Sequence, residues 1–130
     1  MIKKIFVTTF NFSLYEKYAN KLIDSFIKTD QHLKLYCYVE DDVNLYPKNQ
    51  NIVYLNLYTE QPLCYKFVER NKEKSKINSK VSYLLDSVRF SYKVFAQSDA
   101  RKYSQHFFFI DADTEFLKKI PIEWFNECLP

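Results

Sequence analysis

Apolar and polar positions along this chain fall into short blocks that alternate between two periodicities. The opening block, residues 3–10 (KKIFVTTF), is a β-branched and aromatic run of the kind that forms a strand. It stops at Asn11. The stretch Ser13-Leu14-Tyr15-Glu16 then has the form of a capping box, with Ser13 accepting from early helix amides while Glu16 reaches back. Tyr15, Tyr18, Leu22, Ile23 and Phe26 recur at helical spacing along one face, and Glu16, Lys17, Lys21, Asp24 and Lys28 fill most of the remainder.

Residues 33–40 (LKLYCYVE) read as a second strand, closed by Asp41, Asp42 and a loop through Pro47, and residues 51–57 as a third. A helix is expected over residues 65–74, after Pro62. A longer one runs from about residue 80 to 98, with Val81, Leu84, Leu85, Val88, Tyr92 and Phe95 along one face. Residues 106–110 (HFFFI) form the fourth strand and residues 114–120 a short fifth. Pro121, with its fixed φ, opens a final helix over residues 122–129. Strands alternating with helices predict an α/β fold, a Rossmann-like layer with a mostly parallel sheet covered on both sides. The unbroken apolar run Phe107–Ile110 predicts a central strand, buried on both faces. No internal repeat or domain boundary interrupts residues 1–130, which read as a single domain.

Composition changes this picture mainly by exclusion. At 47% hydrophobic and 27% charged residues the chain has material for a packed core. It contains no Gly, so the glycine-rich loops that cradle phosphates cannot exist here. The net charge is +3, and the basic excess lies mostly in residues 66–80, where Glu69 and Glu73 dilute it. That stretch reads as a solvated helix end and loop, and with no recognised motif beside it no nucleic-acid partner is expected. Cys37 and Cys64 sit among apolar neighbours and are expected to be small buried hydrophobes. With Cys128 they make an odd count without close spacing. No signal peptide opens the chain, and no apolar run approaches the roughly 20 residues of a membrane span. A reducing cytoplasm is the simplest location. His32 and His106 flank strands without a partner at metal or relay spacing, which suits surface or capping roles. Trp124, the single Trp, is expected to anchor the last helix to the sheet.

Candidate chemistry gathers where the fourth strand ends. Phe107–Ile110 run directly into Asp111-Ala112-Asp113. In open parallel sheets, ligands bind beyond the carboxyl ends of the strands. Strand side chains two apart share a face, so both carboxylates can approach one ligand. Carboxylates that close repel unless a cation or donors neutralise them. An oxygen-only pair suits a hard divalent ion, Mg²⁺ or Mn²⁺, that also takes phosphate oxygens. The plain alternative is a turn capped by either acid. Arg89 and Lys93 lie four apart on the long helix, away from its core stripe. They face either a ligand's phosphates or solvent, with Asp86 pairing Arg89 in the second case. Lys118 and Lys119 read as a solvated turn.

The segment FFFIDADTEF, residues 107–116, resembles the DxD motif of A-type (GT-A) nucleotide-sugar glycosyltransferases. The preceding SVRFSYKVFAQSDA, residues 87–100, looks like the helix ahead of that motif in bacterial and phage-type members. FVTTFNFSLYEKYANKLIDSF, residues 6–26, is similar to their first strand and helix. The resemblance implies a GT-A three-layer sandwich and transfer of sugar from a UDP- or GDP-sugar donor to an acceptor it does not identify, with Mn²⁺ or Mg²⁺ as cofactor. It implies that Asp113 contacts the metal directly and that Asp111 serves the ribose or the metal. Thr8, Thr9 and Asn11 would contact base and ribose, and Arg89 and Lys93 the phosphates or sugar. It covers only the nucleotide-binding half. The acceptor-binding half, with a further metal ligand and the general base of inverting members, is expected on a missing C-terminal segment or a partner chain. Two other readings stand beside it. Haloacid dehalogenase-type phosphatases also place Asp-x-Asp after an apolar strand, but usually with Thr or Val four residues after the first Asp, where this chain has Glu115. A non-catalytic α/β binding module needs no chemistry at all.

Overall fold

The computed structural model describes residues 3–77 and 87–128. Four strands, β1 (Lys4–Phe10), β2 (Lys34–Val39), β3 (Ile52–Asn56) and β4 (His106–Phe109), form one sheet in the order β3-β2-β1-β4. Every neighbouring pair is parallel, with Thr9 opposite Tyr38 on β2 and Val7 opposite Phe109 on β4. The helices are α1 (Phe12–Leu14), α2 (Asn20–Thr29), α3 (Leu57–Glu60), α4 (Pro62–Ile77), α5 (Ser87–Ala100) and α6 (Ile122–Cys128), with a π-helical turn, Tyr15–Ala19, joining the first two.

Alternation along the strands builds two cores. Phe6 and Phe10 of β1 turn to one side and pack with Leu22, Ile23 and Phe26 of α2, with Phe116, and with Phe125 of α6. Ile5 and Val7, with Tyr36 and Tyr38 of β2, turn the other way onto Leu57, Cys64 and, from α5, Ala96 and Ala100. The result is the expected three-layer α/β sandwich. Cys37 and Cys64 are buried free thiols, as their neighbours predicted. Trp124 lies with its ring 5.8 Å from Phe108 but is 47% exposed; the anchor of the last helix is its fully buried neighbour Phe125, 5.2 Å from Phe108. Among the described residues no helix is long and apolar enough to cross a membrane.

The first helix starts earlier than its capping-box pattern predicts. Asn11, in extended backbone, accepts from the Leu14 amide at 2.9 Å, and Asp41 accepts from the Phe12 amide at 2.9 Å. Those two side chains satisfy two of the free amides of the first turn, and Ser13 lies inside the helix and caps nothing. The π turn then inserts a residue into the helical repeat. Ala19 takes the core position and Tyr18 is turned outward, 36% exposed. At the far end Asp30 adopts φ 48, the left-handed conformation a glycine ordinarily supplies; Asp tolerates it better than most residues.

Three further expectations change. Leu57 opens α3 rather than ending β3, because Asn56 caps the helix by accepting from Thr59 N at 2.9 Å. Residues 114–120 form no strand. Their backbone is tied by side chains: Phe116 N donates to Ser25 Oγ at 2.8 Å, and Gln31 both donates to Lys118 O at 2.8 Å and accepts from Ile120 N at 3.0 Å. Phe116 plugs the α2 core while Leu117 stays 88% exposed. Finally, β4 is an edge strand. Its phenylalanines pack against helices on both faces but stay only partly buried, where the central strands β1 and β2 are almost fully buried. Of the helix expected from about residue 80, the part before residue 87 lies outside the described residues.

Candidate functional site

A cleft of about 440 Å³ opens at the carboxyl edge of the sheet, on the side covered by α5. Its floor follows from register and alternation. Thr9, Phe109 and Asp111 line it, as does Glu40, two residues beyond Tyr38 on the same face of β2. α5 supplies one wall with Phe90, Tyr92 and Lys93, and the π turn supplies the other with Tyr18. Asp113 completes the rim, at a turn closed by Thr114 N donating to Asp111 O at 3.0 Å.

Both carboxylates of Asp111-x-Asp113 thus reach one cleft. Asp111 is ion-paired, with Lys93 Nζ 2.9 Å from Oδ1. The side chains are 41% and 62% exposed, so the pair is weak, within the 0.2–1 kcal/mol typical of solvated pairs at about this exposure. Lys93 Nζ also lies 5.8 Å from the centroid of the Phe109 ring. Asp113 has no ion pair among the described residues.

The remaining expected residues divide. Thr9 lines the cleft, and its Oγ1 is buried without a hydrogen-bond partner. Thr8 does not reach it. Alternation turns Thr8 with Phe6 and Phe10 toward the α2 core, where it is fully buried. Asn11 spends Oδ1 on the helix cap. Arg89 lies on α5, and its side chain is outside what the structure describes. Lys118 and Lys119 stand away from the cleft, the latter 3.8 Å from Asp30.

Glu40 is the cleft residue that sequence reasoning missed. Burial, foremost, pushes its carboxyl above the usual range, and the charge of Asp41 adds to the rise; hydrogen bonds with Tyr92 and Asn11 work against it. The Tyr92 hydroxyl, itself raised by burial and by its tyrosine and Glu40 neighbours, lies 3.4 Å from the Tyr58 hydroxyl. The next two acids are structural. Asp41 accepts from Phe12 N and from the Tyr46 hydroxyl, and Asp42 accepts from Asn44 N at 2.9 Å. The available signal was parity: Tyr36, Tyr38 and Glu40 share a face, and Asp41 does not.

Chemically, the cleft offers two outward carboxylates, the more buried carboxyl of Glu40 and one ammonium, with the buried, unpartnered Thr9 hydroxyl in its lining. Among the described residues no three metal-ligating side chains gather. Two carboxylates still fit a hard cation whose remaining ligands are water and phosphate oxygens, the usual arrangement for Mg²⁺. No family model, curated protein or solved structure matches the chain.

Proposed function

We propose that the chain binds a nucleoside diphosphate sugar, UDP- or GDP-linked, together with Mn²⁺ or Mg²⁺, and is the donor-binding half of a glycosyltransferase. The observation that supports this most is the meeting of Asp111, Asp113, Lys93 and the unpartnered Thr9 hydroxyl in one cleft at the carboxyl edge of a parallel sheet. A diphosphate demands cations on both flanks. Lys93 is one; the metal held by Asp113 and Asp111 is the other, and when bound it offsets charge on the departing nucleoside diphosphate. Thr9 and Glu40, deeper along the strand tips, are left to the nucleoside. The acceptor and the general base are assigned to no residue of this chain.

The test is calorimetric titration of the full chain with Mn²⁺ and UDP, then GDP, alongside Asp113→Ala. Metal-dependent nucleotide binding in the wild type and its loss in the variant are expected. A folded chain that binds neither nucleotide would be a non-catalytic module. Phosphate release from an aryl phosphate ester would instead mark a phosphatase.

A further inference from the structure

We infer that Lys93 is a displaceable internal cation: its ammonium holds Asp111 until a diphosphate draws it away, so that metal and diphosphate enter the cleft together and metal alone is disfavoured. The inference rests on the donor-binding reading above and adds an order of events to it.

The argument starts from the 2.9 Å contact between Lys93 Nζ and Asp111 Oδ1. A divalent ion binds a carboxylate oxygen at about 2.1 Å. With Lys93 in place, an ion on Asp111 would sit beside a like charge, within reach of the same carboxylate. Asp113 is the only one of the two acids without an ion pair among the described residues. Metal arriving first therefore meets one free carboxylate and a repelling ammonium.

A diphosphate reverses each of these conditions. Lys93 is held weakly, because the pair is open to water. Its stem is long and flexible, and its ammonium already rests near the Phe109 ring as well as the acid. A phosphate oxygen beside α5 offers that ammonium a stronger anion than a solvated carboxylate. Once Lys93 moves, both acids are free, and the diphosphate brings the oxygen ligands that two carboxylates lack for six-fold coordination. Linkage makes the effect reciprocal: nucleotide strengthens metal binding by the factor with which metal strengthens nucleotide binding.

The experiment titrates Mn²⁺ into the full chain and follows the free-ion electron paramagnetic resonance signal, without nucleotide and with saturating UDP or GDP. Wild type, Lys93→Gln and Lys93→Arg are compared after circular dichroism shows that each is folded. Wild type should retain Mn²⁺ poorly alone and better with nucleotide. Lys93→Gln should bind Mn²⁺ alone more tightly, by up to about fivefold, the upper worth of a solvated pair, and gain less from nucleotide. Lys93→Arg should behave as wild type. Nucleotide-coupled Mn²⁺ binding in the wild type with unchanged Mn²⁺-only affinity in Lys93→Gln would overturn the inference and leave the donor-binding reading standing. No Mn²⁺ retention in either chain, with or without nucleotide, would overturn both.

Discussion

Replacing Asp99 by Ala should cost this protein about 2–4 kcal/mol of stability, and the figure follows from what the carboxylate touches. Asp99 is fully buried at the C-terminal end of α5. It accepts from Tyr38 Oη at 2.7 Å, Gln61 Nε2 at 2.7 Å and Lys102 Nζ at 2.6 Å. Removing it strands the Tyr38 hydroxyl, on a side chain with no exposed surface. The Gln61 amide, which is partly exposed, recovers water in part. A buried polar group left unpartnered costs about 1–3 kcal/mol, so the tyrosine takes most of that range and the glutamine its lower part. Lys102 is half exposed and returns to solvent with little penalty. For a domain of this size the loss corresponds to roughly 10 °C in Tm. Urea unfolding at pH 7 measures it. A pH series adds the sign. Burial pushes the Asp99 carboxyl up, but Lys102, Gln61 and Tyr38 outweigh burial and hold it below the ordinary range. Its ionised form therefore contributes stability that is present above the unfolded pKa, near 3.9, and is lost as pH falls through the lower folded value. The gap between wild type and variant should narrow in acid, and Asp99→Asn, which keeps one acceptor, should lose less. A loss below about 1 kcal/mol, or one independent of pH, would refute the reasoning. The network matters to the cleft because it fastens α5, carrier of Tyr92 and Lys93, against β2.

Two further outcomes separate function from packing. Glu40→Gln keeps both hydrogen-bond neighbours but cannot ionise. The folded carboxyl is raised mainly by burial, so the neutral form's advantage is complete below the unfolded pKa and lost as pH rises through the folded one. Thermal melts should show the variant matching wild type near pH 4 and exceeding it at pH 8; a constant difference would remove Glu40's ionisation as the cause. Thr9→Val and Thr8→Val each delete a hydroxyl that is buried without a partner, and each should stabilise by up to about 1 kcal/mol. Only Thr9→Val should also weaken UDP or GDP binding, by about fivefold for one hydrogen bond, because only Thr9 lines the cleft.

The layers of this fold are readable in the sequence because burial above and below a strand writes itself into alternation and apolar runs. That is why all four strands and the α/β class emerge, and why Cys37 and Cys64 fall where their neighbours suggest. Lateral order is a different matter. Phe107 and Phe109 face α5 and Phe108 faces α6 whether or not another strand lies alongside, so the run FFF cannot distinguish an edge from a centre. Residues 114–120 imitate a strand for a related reason. One anchor, Phe116, and two polar side chains from α2 and its exit, Ser25 and Gln31, replace the ladder, and contacts 91, 87 and 89 residues apart leave no local trace. The capping box failed over a shorter distance. Ser13 and Glu16 satisfy the pattern, but Asn11 is followed three residues on by the amide it caps, and Asp41 reaches across from the end of β2 to take that of Phe12.

The site shows the same division between what one strand reveals and what two reveal together. Asp111 and Asp113 stand out because an apolar strand ends on them. Glu40 does not, because it heads an acidic run, Glu40-Asp41-Asp42, that reads as the start of a loop. Thr8 and Thr9 could not be separated while the face of β1 toward the ligand was unknown. Both ambiguities close with one added fact, the order β2-β1-β4 with its register. Ile5 and Val7, Tyr36 and Tyr38, Phe107 and Phe109 then mark a common face. Continuing each strand by two residues puts Thr9, Glu40 and Asp111 on that face, with Thr8 and Asp41 on the opposite one. The cleft takes Thr9, Glu40 and Asp111 from that face, Phe10 and Ala112 close it at the strand tips, and further contacts come from the helices, as Lys93 and Tyr92 do.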